Sequence, residues 1–169
     1  MSTLDLAVPT RDVAADALGL LLDAPAPPAL ASLLLRGAHG GELELGVLGA
    51  SHVVRASAGG RSTTEQVSCD AVAAGGDPLP PTAGRPGYAF TATVEHLPAA
   101  ELDRRAVELR AWAAAADDRL CAGFPGHDAA LTAVTGAATA TGWTWTTWHL
   151  YPGAPTGQLV TTASDWRPA

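Results

Sequence analysis

The chain has 169 residues, 47% of them hydrophobic, and a formal net charge of −7. This length fits a single domain with its own core, covering residues 1–169, and the acidic balance argues against nucleic acid or an anionic membrane surface as a partner. The sequence contains no lysine, which excludes a Schiff-base lysine and a phosphate-loop lysine.

The N-terminal third predicts a helix followed by strands. Residues 10–23 form an amphipathic pattern with Thr10 as the N-cap, and the prolines in 24–28 end it. Residues 30–69 then divide into short runs separated by glycine-rich breaks, and in GELELGVLG the leucines alternate with Glu42 and Glu44. This pattern predicts a meander of three or four antiparallel strands.

The middle of the chain predicts a loop, a strand and a long helix. Residues 70–87 are rich in proline and glycine and predict a loop, which is either a mobile excursion or a lid. Residues 88–97 alternate as a strand does, and Pro98 suits the first position of a helix over 98–120. A stripe of leucine, alanine and Trp112 gives that helix an apolar face that can lie on a sheet.

The C-terminal part predicts a short third helix and two strands. Asp128 is suited to cap a helix that runs through Val134, and strands are expected over 142–152 and 157–166. The fold class predicted is therefore α+β, with a mostly antiparallel sheet of about six or seven strands packed against one long helix. The N-terminal helix and the short third helix complete it.

Most motifs that carry chemistry are missing from the sequence. The five histidines are isolated, there is no CxxC, and no GxSxG elbow is present, so we expect no metal site and no cofactor. Cys69 and Cys121 are expected to be reduced, small, buried residues of a cytoplasmic protein. Glu42 and Glu44 share one strand face, as in phosphate-processing tunnels, but a solvated face is the better interpretation.

The segment GWTWTTWHLYP (142–152) concentrates the aromatic residues of the chain. As a strand it places Trp145, His149 and Tyr151 on one side and Trp148 on the other. These side chains either pack in the core, with Trp148 under the long helix, or form the wall of a groove for a ligand. The candidate ligand-binding residues are Trp145, His149, Tyr151 and His52.

Two runs, LGASH (48–52) and TWHLYP with the following TGQLV (147–160), carry a resemblance to a known family. They resemble the actinobacterial domain of unknown function 2617 family, whose members are similar in length. The resemblance implies an actinobacterial origin and brings no known activity.

Two functional hypotheses follow from these observations. The first is a non-enzymatic binding or adaptor module with an aromatic groove for a small molecule or a protein partner. The second is an enzyme for a small anionic or phosphorylated substrate, with His52 and His149 as acid–base groups and scattered arginines as clamps. The second requires both histidines to reach one pocket. The aromatic residues are compatible with a homodimer.

Overall fold

Two five-stranded antiparallel sheets dominate the molecule. The structure, a computed structural model, describes residues 3–5, 31–37, 40–48, 51–68, 73, 88–124 and 128–168. Within these residues the chain forms ten strands and one long helix. The protein is therefore mostly β.

The N-terminal sheet is a simple meander in which each strand pairs with the next. Its strands are β1 (Thr3–Asp5), β2 (Ala31–Arg36), β3 (Glu42–Leu48), β4 (Ser51–Ala58) and β5 (Arg61–Ser68). Gly59 and Gly60 join β4 to β5 with φ values of 58° and 75°. Two successive positive φ values define the tight hairpin turn that matches strand twist, and glycine adopts them without steric cost. The meander of three or four strands predicted over residues 30–69 is present, with four strands, β2 to β5.

The C-terminal sheet has the strand order β6-β10-β9-β8-β7. Its strands are β6 (Tyr88–Pro98), β7 (Arg119–Gly123), β8 (Leu131–Ala138), β9 (Trp143–Tyr151) and β10 (Thr156–Trp166). The helix α1 (Ala99–Ala114) connects the two edge strands, β6 and β7. Predicted strands at 88–97, 142–152 and 157–166 correspond to β6, β9 and β10.

The two sheets pack face to face around one apolar core. The core contains leucine and valine side chains from β2, β3 and β4 together with Trp143, Trp145 and Trp166 from the C-terminal sheet. A Cβ atom placed on Gly136 of β8 would lie 2.6 Å from Leu43 Cδ2, so the sheets approach closely at this glycine. Such facing sheets with interdigitated side chains form a β-sandwich.

The helix covers the opposite face of the C-terminal sheet. Leu102 of α1 packs with Leu131, Leu150 and Leu159 from three neighbouring strands. Trp148 lies at the side of this cluster. The C-terminal sheet therefore packs against the N-terminal sheet on one face and, around this cluster, against α1 on the other.

The long helix is shorter than predicted. It begins at Ala99, with Pro98 as the N-cap rather than the first helical residue, and it ends at Ala114 instead of residue 120. The guanidinium of Arg119 donates a hydrogen bond to the Trp112 carbonyl at 2.9 Å. The same carbonyl also accepts a hydrogen bond from the Ala115 amide at 3.4 Å, so Arg119 adds a side-chain donor to the last turn of the helix. The chain then continues as β7, in which Leu120 is a strand residue.

The predicted α+β fold, with one sheet of six or seven strands, is wrong. The segment predicted as a short third helix through Val134 overlaps the first half of the strand β8, and β1 and β7 were not predicted. The first four residues of β8 are all buried, because sheet and helix cover its two faces. A strand buried on both faces does not alternate, so periodicity fails to distinguish it from a helix.

Two predicted elements lie outside the described residues. They are the N-terminal helix over 10–23 and the loop over 70–87, of which only Ala73 is described. Ala73 packs against a small cluster of Ala129, Tyr151 and Val160. Within the described part of the chain, no helix is long and apolar enough to cross a membrane.

Candidate functional site

The strand β9 divides its aromatic residues between two faces, as its sequence predicts. Trp145, His149 and Tyr151 share the face toward the N-terminal sheet and are 2%, 0% and 8% exposed. Trp148 is half-buried on the opposite face, next to α1. His52 lies on β4, where it pairs with Val47 and Val67 in the other sheet.

Trp145 and Tyr151 belong to two separate apolar clusters. Trp145 packs in the core between the sheets, whereas Tyr151 packs with Ala129 and Val160 near the other end of β9. The two residues therefore do not form a common wall in the structure. Packing under the helix accounts for Trp148 and Leu150, as one of the sequence alternatives proposed.

His149 is held between threonine hydroxyl groups in the interior. Its Nδ1 lies 3.0 Å from Thr132 Oγ1 and its Nε2 lies 3.0 Å from Thr147 Oγ1. A further hydrogen bond joins Thr147 to Thr162 on β10. The strand register explains the chain of contacts, since Thr132 is opposite His149 and Thr162 is opposite Thr147.

Threonine suits this buried network because a hydroxyl group can both donate and accept a hydrogen bond. Both ring nitrogens of His149 therefore have partners in the interior, as a buried polar group requires. The arrangement orients the imidazole and fixes it between β8, β9 and β10. It gives His149 a structural role in the described part of the molecule.

A groove lies on the other face of the C-terminal sheet, beside the helix. We call it the helix–sheet groove, and its volume is about 280 Å³. Its apolar lining consists of Leu109, Trp112, Trp148 and Leu159. Its polar lining consists of Glu95, Arg105, Glu108 and Thr161. Strands β6, β9 and β10 form its floor and α1 forms its wall.

Two tryptophans meet edge to face in the helix–sheet groove. The ring centroids of Trp112 and Trp148 are 4.9 Å apart, with 68° between the ring planes. This is the geometry that aromatic quadrupoles favour. On Trp112 the guanidinium carbon of Arg119 lies 4.8 Å from the ring centroid, so that ring already binds a cation.

Most charges at the groove are paired within the helix. Arg105 Nε lies 3.5 Å from Glu101 Oε1, and Arg104 Nη1 lies 2.6 Å from Glu108 Oε1. Hydrogen bonding from Arg104 lowers the pKa of Glu101, with the charges of both arginines acting in the same direction. Among the described residues, none forms an ion pair with Glu95.

A second and larger cleft of about 410 Å³ opens near Trp143, at the end of the sandwich. Its lining is almost entirely glycine, alanine and threonine from the loops and strand ends around Gly41, Gly59 and Gly142. The indole N–H of Trp143 donates to the Ser57 carbonyl at 2.8 Å, which occupies its only donor. The lining therefore offers few polar groups that converge on a ligand, in contrast to typical binding sites.

The cysteines and a metal site are weaker candidates for a functional role than the helix–sheet groove. Burial raises the pKa of the Cys121 thiol, although the charge of Arg110 opposes the shift. A protonated thiol is a poor nucleophile. Cys69 lies outside the described residues. Within the described ranges, no group of three or more histidine, cysteine or carboxylate side chains is placed to hold a metal ion.

Sequence reasoning missed the residues that line the helix–sheet groove from β6 and α1, chiefly Glu95, Arg105 and Glu108. The only signal was the pair Trp112 and Trp148, both of which were predicted to pack between sheet and helix. Their side chains do pack there, but they lie at the margin of that layer and remain partly exposed. Locating the margin requires the position of the helix across the strands, which spacing alone does not give.

The chain is similar to known proteins along almost its whole length. Residues 15–166 match the family described as protein of unknown function DUF2617. Uncharacterized proteins of Mycobacterium tuberculosis (Rv2598) and Mycobacterium bovis (Mb2629) are each 47% identical to it over 163 residues. The alignments cover 96% of this chain and 97% of each relative. No solved structure matches the chain at a significant level.

Proposed function

The chain belongs to the family described as protein of unknown function DUF2617, and we propose from its geometry that it is a binding protein for a small organic ligand. The ligand occupies the helix–sheet groove between α1 and the C-terminal sheet. It is amphipathic, with an apolar body against Trp112 and Trp148 and a polar end toward the carboxylates and the guanidinium at the rim.

One observation carries this proposal. Three of the five tryptophans, Trp143, Trp145 and Trp166, are buried in the core between the sheets, while the two that remain partly exposed line the same groove. Large aromatic side chains yield about 1.5–3 kcal/mol or more on full burial, so leaving two of them half-covered at one place sacrifices stability. Occupation by an apolar ligand would recover that burial.

The dimensions and lining of the groove support a small ligand rather than a large one. Its volume of about 280 Å³ is close to the lower end of the range for small-molecule sites, about 300–1,000 Å³. It also combines apolar walls with a few polar groups at the rim, which is the usual composition of such sites. The cleft near Trp143 is larger, but no charged side chain is among its lining residues.

The enzymatic alternative relies on His52 and His149 as acid–base groups for an anionic or phosphorylated substrate. His149 is 0% exposed and both of its ring nitrogens are hydrogen-bonded to threonines. A general acid or base must reach the proton that it transfers, directly or through one water. The geometry at His149 therefore favours the binding hypothesis, in which this histidine supports the strands beneath the site.

A blocking substitution tests the proposal without removing core side chains. Thr161→Arg places a long side chain in the groove from the middle of β10, and Ala163→Arg places the same side chain on the same strand face two residues away, outside the groove lining. The probe is 2-phenylethanol, a neutral aromatic alcohol, for which a Kd of about 1 mM is expected for so few atoms. Binding is followed by nuclear magnetic resonance of the indole N–H groups.

We expect the probe to shift the Trp112 and Trp148 signals saturably in the wild-type protein and to leave those of Trp143 and Trp166 in place. Thr161→Arg should weaken the probe at least about ten-fold, equivalent to about 1.4 kcal/mol, whereas Ala163→Arg should change its Kd less than about two-fold. Equal losses in the two variants, or shifts centred on Trp143, would refute a site in the groove.

A further inference from the structure

We infer that the helix–sheet groove selects a small organic cation, an ammonium or guanidinium group carried on an apolar body. This inference rests on the proposed function and adds to it the charge of the ligand. It depends on the balance of charges around the groove, on the aromatic wall and on a lining carboxylate, Glu95, that forms no ion pair with another described residue.

The charges at the groove and on the adjoining helix turn sum to a negative value. Among the described residues, Glu95, Glu101 and Glu108 contribute three carboxylates, and Arg104 and Arg105 contribute two guanidinium groups, which leaves a net charge of −1. Arg119, whose guanidinium lies over Trp112, is paired with Asp118 at 3.7 Å, so this pair adds no net charge. The net charge of the whole chain, −7, has the same sign. A cation is attracted by both, and an anion is repelled.

The uncompensated charge belongs to Glu95 on β6. Glu101 pairs with both arginines, and Glu108 pairs with Arg104. The pair between Arg105 and Glu101 is an ion pair of 3.5 Å, without a hydrogen bond from the buried Nε to a described residue. No ion pair joins Glu95 to another described residue. A ligand ammonium group at this end of the groove would supply the missing counterion through a charge-assisted hydrogen bond.

The aromatic wall favours the same charge. Indole rings attract cations through the negative potential over their faces, and tryptophan does so most strongly among the aromatic side chains. Trp112 already makes such a contact with Arg119, at 4.8 Å from the ring centroid, so Trp148 is the indole that we assign to the ligand. A ligand that carries its charge between Glu95 and Trp148 therefore gains from both groups.

Three probes of nearly identical shape distinguish the effect of ligand charge on affinity from the effect of ligand shape. They are 2-phenylethylammonium, 2-phenylethanol and phenylacetate, which carry a positive, a neutral and a negative polar end on the same ring. Each is titrated into the full-length protein at low ionic strength, and the Kd is measured from the indole N–H shifts. We expect the ammonium probe to bind about five-fold tighter than the alcohol and phenylacetate to bind more weakly than the alcohol.

The variant Glu95→Gln assigns the preference to one residue. We expect it to reduce the ratio of the alcohol Kd to the ammonium Kd from about five to about one, because the amide cannot serve as a counterion. The control is Asp103→Asn, which removes an exposed carboxylate of α1 that does not line the groove. This variant should preserve the ratio of the two Kd values. Added salt should lower the wild-type ratio, since exposed charges are screened.

The outcomes distinguish this inference from the proposed function. Saturable binding of all three probes with equal affinity, or tighter binding of phenylacetate, overturns the cation preference while the groove remains a binding site. Failure of every probe to shift Trp112 and Trp148 overturns the proposed function itself. A preference for the ammonium probe that persists in Glu95→Gln would overturn the role of this carboxylate.

Discussion

Glu44 illustrates, at the scale of a single residue, how burial can outweigh an ion pair. Its side chain on β3 is 16% exposed and its Oε2 lies 3.2 Å from Arg55 Nη1. Burial raises the pKa of Glu44, the charge and hydrogen bond of Arg55 lower it, and the charge of Glu42 raises it, with a net upward shift. The solvated face predicted for both glutamates is therefore correct for exposed Glu42 and only partly so for Glu44.

The raised pKa of Glu44 predicts a pH dependence of stability. The folded state holds the Glu44 proton more tightly than the unfolded state does. The contribution of this group to stability is therefore complete below its unfolded-state pKa and is lost as pH rises through its folded-state pKa. Glu44→Gln does not titrate. We expect the variant to gain stability relative to the wild-type protein as pH rises from about 4 to 7, measured by urea unfolding at several pH values.

The matched substitution Arg55→Gln removes the two causes that lower the pKa of Glu44. In that background the gain from Glu44→Gln should be larger and should extend to higher pH. A constant difference between glutamate and glutamine at all pH values would contradict the argument. So would a wild-type protein that becomes more stable than Glu44→Gln as the pH rises.

At the scale of elements, strands with one exposed face were predictable and strands buried on both faces were not. In β3 the leucines are buried and the glutamates alternate with them, so period and structure agree. In β8 the residues from Leu131 to Val134 are all buried. The helix end was misplaced because the alanine run after Trp112 continues the helical pattern. The hydrogen bond from Arg119 to the last turn is a tertiary contact that periodicity does not reveal.

The close approach of β8 to the N-terminal sheet depends on Gly136. A Cβ atom there would lie 2.6 Å from Leu43 Cδ2 and 2.8 Å from Leu35 Cδ1, and both leucines are fully buried. Gly136→Ala should therefore force the two sheets or these side chains apart. We expect a loss of about 1–3 kcal/mol in the free energy of unfolding, measured by denaturant titration, because tightly packed cores tolerate added volume poorly.

The control for this substitution is Gly123→Ala in the neighbouring strand β7. A Cβ atom on Gly123 would meet its nearest neighbours at 3.7 Å, an ordinary contact distance. That change should be neutral or stabilise the protein by up to about 1 kcal/mol through the unfolded state. If the two alanine variants lose equal stability, strand propensity rather than sheet packing is responsible.

At the scale of the whole molecule, the pairing of strands and the division into two sheets were beyond the sequence. Short turns correctly predicted the N-terminal meander, because consecutive strands joined by glycine pair with one another. The C-terminal sheet instead brings together β6 and β10, which are separated by the helix and three strands. The candidate site could be predicted only in part for the same reason. The sequence identified the aromatic strand, but the groove is also formed by β6 and α1, whose positions depend on tertiary packing.

A shared core and the hydrogen bond from Trp143 to Ser57 connect the two sheets, and they predict that the sheets unfold together. Trp143→Phe removes the indole N–H that donates to the Ser57 carbonyl on β4. The control is Trp166→Phe, which makes the same chemical change in the same core cluster. No described residue accepts a hydrogen bond from the Trp166 indole. Losing this partly buried hydrogen bond costs about 0.5–1.5 kcal/mol, so Trp143→Phe should lose more stability than Trp166→Phe in urea unfolding. Both variants should keep a single unfolding transition with the wild-type slope, because the slope reflects the surface exposed by the whole domain.

Equal losses of stability in the two variants would mean that the hydrogen bond contributes nothing. A second unfolding transition would mean that the two sheets are independent units.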